Sequence, residues 1–346
     1  MKTVVIHASK DLRVEDAATG VAGPNDVVVR VDAGGICGSD LHYYNHGGFG
    51  AIRLQEPMIL GHEIAGTVEA VGVSVATVRP GDRVVVNPSL PCRSCRYCRQ
   101  ADYNHCLNMR FYGSAMRMPH IQGAFRQSLV ADADQCHVFG DDVSANEAAF
   151  AEPLAVALHA VNRAGSLLGK RVLVTGSGPI GALVLLAARH HGALQIVATD
   201  IVDAPLQRAL SIGADMVINV ADEPERLAEF EADKGTFDVV FEASGNPRAV
   251  VSALQVLKPR GTLIQLGLGG EATLQLNVIT AKEIELKGPF RFHEEFAVAV
   301  DLISRRLVDV KPLLTDILPL SRAIEAFELA SDRSKAMKVH LAMQEG

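Results

Sequence analysis

Cys92, Cys95, Cys98 and Cys106 fall within fifteen residues. Their C-x2-C-x2-C-x7-C spacing lets one short loop wrap four thiolates around a tetrahedral Zn²⁺ with no position left for substrate, which makes the site structural. A second set of metal-capable groups is scattered. Gly35-Ile-Cys37-Gly-Ser39-Asp-Leu-His42-Tyr43 puts a thiol, a hydroxyl and an imidazole within six residues, Gly61-His62-Glu63 adds imidazole and carboxylate, and Glu152 precedes Pro153. A Zn²⁺ held by Cys37, His62 and a carboxylate would keep an open position for water or an alcohol, as catalytic sites require. A lone buried Cys or His is more often structural than ligating, so the argument rests on the combination. Cys136 has no partner motif and reads as packing.

The third motif binds phosphate. Gly176-Ser-Gly178-Pro179-Ile180-Gly181 lies between a β run and a helical run, where the first glycine allows a tight turn and the second lets backbone approach a pyrophosphate. The third permits close helix-on-strand packing. Asp200 ends the next strand, 24 positions after Gly176. Its carboxylate can accept ribose hydroxyls and repels a 2′-phosphate, which favours NAD over NADP.

Two other readings of the cysteines fail. A disulfide framework needs an oxidising compartment, and Met1 to Lys10 holds no apolar core long enough for a signal peptide, so a cytoplasmic location is expected. A nucleic-acid-binding zinc ribbon is suggested by Arg93, Arg96 and Arg99, but the net charge of -7, from 33 Lys+Arg against 40 Asp+Glu, repels polyanions. The longest apolar stretch, around Val172 to Ala188, is interrupted by Thr-Gly-Ser-Gly-Pro and is too short to cross a bilayer. With 346 residues and 48% hydrophobic content, the chain can form about two domains.

The elements that must position these groups follow from periodicity. Thr3 to about Val143 reads as short strands cut by Gly and Pro, all-β and barrel-like. From Asn146 the apolar spacing becomes helical, with a boundary near Pro153. Strands then fall at Arg171–Thr175, Gln195–Thr199, Met216–Asn219, Phe237–Phe241 and Gly261–Leu266. They alternate with helices at Pro179–His190, Leu206–Ile212, Glu223–Ala232 and Arg248–Leu257. This specifies a parallel sheet covered on both faces. A last strand near Glu283–Gly288, helices at Glu294–Arg306 and Ser321–Ala330, and a closing strand Met337–Ala342 complete the chain.

Taken together these motifs resemble the zinc-dependent medium-chain dehydrogenases of the polyol, sorbitol-like branch, over essentially the whole chain. The resemblance rests on the Cys37–Tyr43 segment, Gly61-His62-Glu63, the four-cysteine lobe, Ala151-Glu152-Pro153-Leu154, the Gly176 turn and Lys287-Gly-Pro-Phe290-Arg291-Phe292. Asn87-Pro-Ser-Leu-Pro-Cys92 and Met109-Arg110-Phe111-Tyr112-Gly113-Ser114-Ala115-Met116 look like its L-idonate-oxidising subgroup. The resemblance implies an α/β fold. A GroES-like β-barrel catalytic domain would be built from residues 1–153 and 291–346, and a doubly wound Rossmann domain from residues 154–290, with zinc meeting nicotinamide in the cleft between them. It also implies two Zn²⁺ per chain, the catalytic one on Cys37, His62 and Glu63, with Glu152 either a ligand or bonded to the zinc water. NAD is the expected cofactor, with NADP as the alternative. Cofactor contacts are implied at Leu266, Gly267 and Leu268 and at Phe290 and Arg291, besides the Gly176 turn and Asp200. A homotetramer or homodimer is implied as well.

For chemistry, a Lewis-acidic zinc would polarise a secondary hydroxyl for hydride loss to nicotinamide. Ser39 would take the proton and pass it towards His42, with Glu63 and Glu152 as catalytic carboxylates. Tyr43 is implied as a pocket wall, and Arg110, Arg117, His120 and Arg291 are candidates to grip a substrate carboxylate. Pro205 departs from the branch, many of whose members carry an arginine there near the adenosine ribose. The expected reaction interconverts L-idonate and 5-keto-gluconate. A sorbitol- or xylitol-type polyol dehydrogenase is the enzymatic alternative. A dinucleotide-binding sensor without catalysis is the other, and retention of Cys37, Ser39, His42, His62 and Glu152 argues against it.

Overall fold

In strand Asp26–Gly35 the residues Val27, Val29 and Val31 are fully buried while their neighbours are not. That period of two directs one face into a core where each buried valine contributes about 1.5–3 kcal/mol. The strand is the centre of a seven-stranded sheet in the computed structural model, which describes residues 1–344. It pairs antiparallel with Glu63–Val71, Ser128–Asp132 and Lys338–Ala342. Arg83–Val86, Cys136–Val138 and Leu314–Pro319 extend the sheet outwards. These strands belong to a first unit made of Met1–Glu152, Phe296–Asp332 and the described residues from Lys338 onward.

The second unit comprises Pro153–Glu295 and Arg333–Met337. Its six-stranded parallel sheet runs Met216–Asn219, Gln195–Asp200, Arg171–Thr175, Phe237–Glu242, Leu257–Gln265, Glu285–Lys287. Numbered along the chain, the order is 3-2-1-4-5-6, that of a doubly wound dinucleotide fold. Helix Pro179–His190 follows the first strand. Gly176 turns at φ +83°, and a Cβ there would lie 2.6 Å from the Ser244 amide nitrogen. A Cβ on Gly181 would strike the Gly176 carbonyl. Both glycines therefore act as the motif predicts. The buried Glu242 binds the strand ends together. It accepts hydrogen bonds from the Ser244 amide at 2.8 Å, the Gly245 amide at 3.1 Å and Gln265 Nε2 at 2.6 Å.

Three details differ from expectation. The run read as helix Glu223–Ala232 is helical only over Pro224–Ala228 and continues as a 3₁₀ segment to Lys234, because Asp233 and Lys234 adopt positive φ to turn into strand Phe237–Glu242. Helix Asp203–Ser211 begins before Leu206, since Pro205 fits a first turn whose amides need no intrahelical acceptor. Arg333–Met337, expected with the catalytic domain, lies in the second unit, where Arg333 pairs with Asp200 at 2.9 Å. No described helix is long and apolar enough to cross a membrane.

Glu295, near the end of the second unit's main segment, receives hydrogen bonds from His159 Nδ1, Asn162 Nδ2 and the His293 amide, each at 3.0 Å. Burial pushes its pKa up, but the bonds from His159, the His293 backbone and Asn162 outweigh it and hold the carboxyl at about 2. A depressed carboxyl stabilises the fold fully above its unfolded pKa of about 4.3, and loses that contribution as pH falls towards 2. Discounted for solvent screening, the contribution is about 1–2 kcal/mol. Urea midpoints of the wild type and Glu295→Gln are expected to differ at pH 6 and to converge as the pH drops below 4; a gap unchanged across that range would refute the assignment.

Candidate functional site

Cys37 caps helix Gly38–His46 at the end of the central strand, with extended φ -92° and ψ 158°. Asp40, fully buried, anchors this corner: its Oδ2 accepts from the Cys37 amide at 3.0 Å and its Oδ1 from the Gly61 amide at 3.2 Å. One carboxylate thus ties the cysteine segment to the His62–Glu63 segment. Gly61 sits at φ +90°, and a Cβ there would run into the Phe125 ring. His62 and Glu63 are buried, and Glu63 pairs across the sheet with Gly35, whose other neighbour is His340. A side chain at Gly35 would collide with Glu63 Oε2 and lie 3.0 Å from His340 Nε2. Its absence leaves room for the acid.

One ligand atom each from Cys37, His62 and Glu63 lies within 4.8 Å of the other two. Glu152 does not join that set, although it is buried in the same electrostatic environment. Burial, then the negative charge of Glu63, pushes the Cys37 thiol up to about 12, opposed by Lys338 and by a hydrogen bond from Ser39. Burial raises Glu152 to about 8; His62 and Lys338 oppose the rise, and Glu63 and Cys37 add to it. His62 Nδ1 and Glu63 Oε1 are buried without a hydrogen-bond partner among the described residues. Asp40 Oδ1 stands 3.8 Å from that nitrogen, beyond hydrogen-bond reach. Buried acids and orphaned polar atoms cost free energy unless a cation compensates them. The donors, one sulfur, one imidazole and one carboxylate, match a catalytic zinc site with an open position. The residues therefore fit a zinc ion.

The four-cysteine loop also converges, with one sulfur from each of Cys92, Cys95, Cys98 and Cys106 mutually within 4.8 Å. Cys95 and Cys98 sulfurs are 3.5 Å apart and Cys92 and Cys98 sulfurs 4.0 Å. Sulfurs at about 2.3 Å from a tetrahedral ion stand about 3.8 Å from one another, far beyond a disulfide's length of about 2.0 Å. All six cysteines are free. The Cys92 and Asn108 amides point at Cys106 Sγ at 3.2 and 3.3 Å, a donor set suited to thiolate. Hydrogen bonds from Ser94 and from the Cys95 backbone lower Cys92 to about 5. The three arginines have local partners. Arg93 pairs with Asp134 at 2.7 Å, Arg99 Nε donates to the Ser94 carbonyl at 2.9 Å, and Arg96 lies over the Tyr97 ring.

In the second unit, Asp200 Oδ2 accepts from the Ser177 amide at 2.8 Å, so the acidic residue is joined to the glycine turn. Gly178 caps the helix that begins with Pro179 and Ile180. Leu266 and Gly267 donate their amides to the Glu242 carbonyl, both at 2.8 Å, and Leu268 is exposed at the strand's C-terminal end. Phe290 is exposed, and Arg291, at φ +56°, lays its guanidinium over that ring at 5.1 Å.

Among the expected substrate contacts, His120 is a correction. Its Nε2 accepts from the Gln55 amide at 2.9 Å, so Nδ1 carries the proton and donates to the Arg117 carbonyl at 2.7 Å. Both nitrogens are spent on backbone, and the ring is buried. Arg117 Nη2 is engaged with the Leu107 carbonyl at 2.6 Å. Arg110 is exposed in a short strand with Phe111. Tyr43 is buried, its hydroxyl accepting from the Ala115 amide at 3.0 Å and its ring packed edge-on against Phe49. His42 lies in the same helix, its pKa lowered by burial and then by His46, so its imidazole is neutral near pH 7.

Residues 23–141 match the alcohol dehydrogenase GroES-like domain, and residues 179–305 match the zinc-binding dehydrogenase family. The L-idonate 5-dehydrogenase (NAD(P)(+)) of Escherichia coli is 40% identical over 92% of this chain and 92% of its own. The chain belongs to the zinc-dependent medium-chain alcohol dehydrogenases. Human sorbitol dehydrogenase is 38% identical over 94% of this chain and 91% of its own, which places the dehydrogenase in the polyol branch. The crystal structure of L-idonate 5-dehydrogenase from Escherichia coli superposes with a TM-score of 0.94 at 38% identity, covering 99% of this chain and 97% of that one.

One charged group beside the Cys37, His62 and Glu63 cluster lies outside every motif of the sequence. Lys338 is 3% exposed, forms an ion pair with Glu63 Oε2, and donates Nζ to the Ile36 carbonyl at 2.9 Å. Burial would lower its pKa, but the negative charges of Glu63 and Cys37 raise it. The only signal available was a lysine in a strand otherwise apolar at Val339 and Leu341.

Proposed function

We propose that the protein oxidises a secondary hydroxyl of a sugar acid, L-idonate to 5-keto-gluconate and the reverse, with a nicotinamide dinucleotide. The observation that carries this reading is the convergence of Cys37, His62 and Glu63 on one buried point in a chain 40% identical to an L-idonate 5-dehydrogenase. Two zinc ions per chain are part of the reading, one in the cysteine lobe and one held by Cys37, His62 and Glu63. When bound, that second zinc supplies Lewis acidity that makes a substrate hydroxyl acidic, and NAD(P) accepts the hydride.

The chain's residues then have separate tasks. Cys37, His62 and Glu63 hold the ion. Glu152, outside that trio, orients water or hydroxyl beside it. The Cys37 thiolate and the Glu63 carboxylate would bring negative charge to the ion, and the Lys338 ammonium offsets part of it. Ser39 Oγ takes the hydroxyl proton and hands it towards His42, whose neutral imidazole can accept it. Arg291 offers a guanidinium to the sugar-acid carboxylate. A homo-oligomer is part of the proposal.

A sorbitol- or xylitol-type polyol specificity is the second reading, favoured by the 38% identity to human sorbitol dehydrogenase. Initial rates with L-idonate, sorbitol and xylitol separate the two. We expect kcat/KM for L-idonate to exceed that for either polyol at least about tenfold, about 1.4 kcal/mol of transition-state discrimination. A preference for sorbitol would replace the sugar-acid assignment.

A further inference from the structure

Asp200, the acidic residue expected to read the adenosine ribose, has its carboxylate already filled. Oδ1 accepts from the Ile201 and Val202 amides at 2.7 and 3.2 Å, and Oδ2 accepts from the Ser177 amide at 2.8 Å and from Arg333 Nη2 at 2.9 Å. A carboxylate offers about four lone-pair sites, so these donors occupy it. The amides belong to the glycine turn and the strand end and cannot withdraw without rebuilding both. Arg333 can withdraw: its side chain is 49% exposed, whereas that of Asp200 is 2% exposed. A ribose hydroxyl reaches Oδ2 only by displacing the guanidinium.

Arg333 also faces the phosphate turn. Its Nη2 lies 3.8 Å from the point a Cβ on Gly178 would occupy, at the N-terminal end of helix Pro179–His190. The guanidinium therefore stands beside both the turn that approaches the pyrophosphate and the carboxylate that meets the ribose. Position 205 supplies no cation here, since Pro205 is buried in the next helix.

We propose that Arg333 gives the protein its capacity for NADP beside NAD. With NADP the guanidinium stays on Asp200, neutralises the charge that would repel a 2′-phosphate, and pairs with that phosphate through its remaining donors. With NAD it swings towards solvent and releases Oδ2 to the ribose hydroxyls. The proposal rests on the reading that the second unit binds a nicotinamide dinucleotide.

Direct binding tests it without relying on turnover. ADP-ribose and 2′-phospho-ADP-ribose, which lack the nicotinamide ring, are titrated calorimetrically into zinc-loaded wild type, Arg333→Met and Arg333→Lys. We expect Arg333→Met to lose at least about tenfold in affinity for 2′-phospho-ADP-ribose, and to bind ADP-ribose as well as or better than wild type. Arg333→Lys, which keeps a cation but not the planar fork, is expected to lie between. Equal weakening of both ligands would assign Arg333 to the pyrophosphate and overturn the proposal, as would no change in either. If neither ligand bound wild type, the proposal would fall together with the dinucleotide reading beneath it; if only ADP-ribose bound, it would fall alone.

Discussion

If the chain holds the two zinc ions proposed for it, Cys37→Ser is expected to lower kcat by more than about 100-fold and to leave one zinc per chain, with the fold intact. Loss of an outer-shell partner alone costs about 10–100-fold in metal affinity or activity, so loss of the thiolate itself costs more. A serine hydroxyl is smaller, harder and, in a buried site, un-ionised, and it does not replace a thiolate for zinc. The remaining frame does not depend on the sulfur. The Cys37 amide still donates to Asp40 at 3.0 Å, and Lys338 still pairs with Glu63. Elemental analysis, steady-state kinetics and a melting curve on one preparation check all three parts. Turnover and two zinc ions retained in Cys37→Ser would remove the metal centre from the mechanism.

Cys98→Ser is expected to do the reverse, removing the lobe's zinc and much of its stability while leaving the Cys37 site loaded. Cys98 is the sulfur to choose because it is buried and lies near two others, at 3.5 Å from Cys95 and 4.0 Å from Cys92. Burial first, then hydrogen bonds involving Cys106 and Cys95, pushes its thiol up to about 12, so a metal-free lobe would hold it as a neutral thiol. Around these sulfurs the lobe has short 3₁₀ turns and one two-residue strand pair, Ser89–Leu90 with Arg110–Phe111, and so little core of its own. Structural zinc sites contribute about 10–16 kcal/mol to folding in isolated small modules. A fraction of that, spread over a larger unit, lowers the melting temperature by on the order of 10 °C. Zinc stoichiometry and calorimetric melting test it, and an unchanged melting temperature at one zinc per chain would show that the lobe folds without its ion.

Metal and phosphate motifs are legible in this chain because their geometry is local. Four cysteines within fifteen residues leave a short loop few ways to satisfy its thiolates, and a glycine required at φ +83° leaves its mark as Gly176 whatever surrounds it. The alternation of strands and helices likewise follows from apolar periods of two and about 3.6 residues. Contacts whose partner is distant leave no such local mark. His120 is a candidate carboxylate contact by residue type, yet the Gln55 amide, 65 residues away, occupies its Nε2. Lys338 reaches Ile36 across 302 positions, and Arg333 reaches Asp200 across 133.

Spacing along the chain thus selected the kinds of chemistry this dehydrogenase can hold: a sulfur lobe, a phosphate turn, and a Cys–His–Glu donor set. Folding decided which charges neutralise one another. Lys338 compensates Glu63, and Arg333 occupies Asp200, because strand pairing and chain return bring together ions that no local pattern relates. A side chain's backbone conformation is set by its near neighbours, whereas the cost of burying its charge depends on every group that arrives beside it.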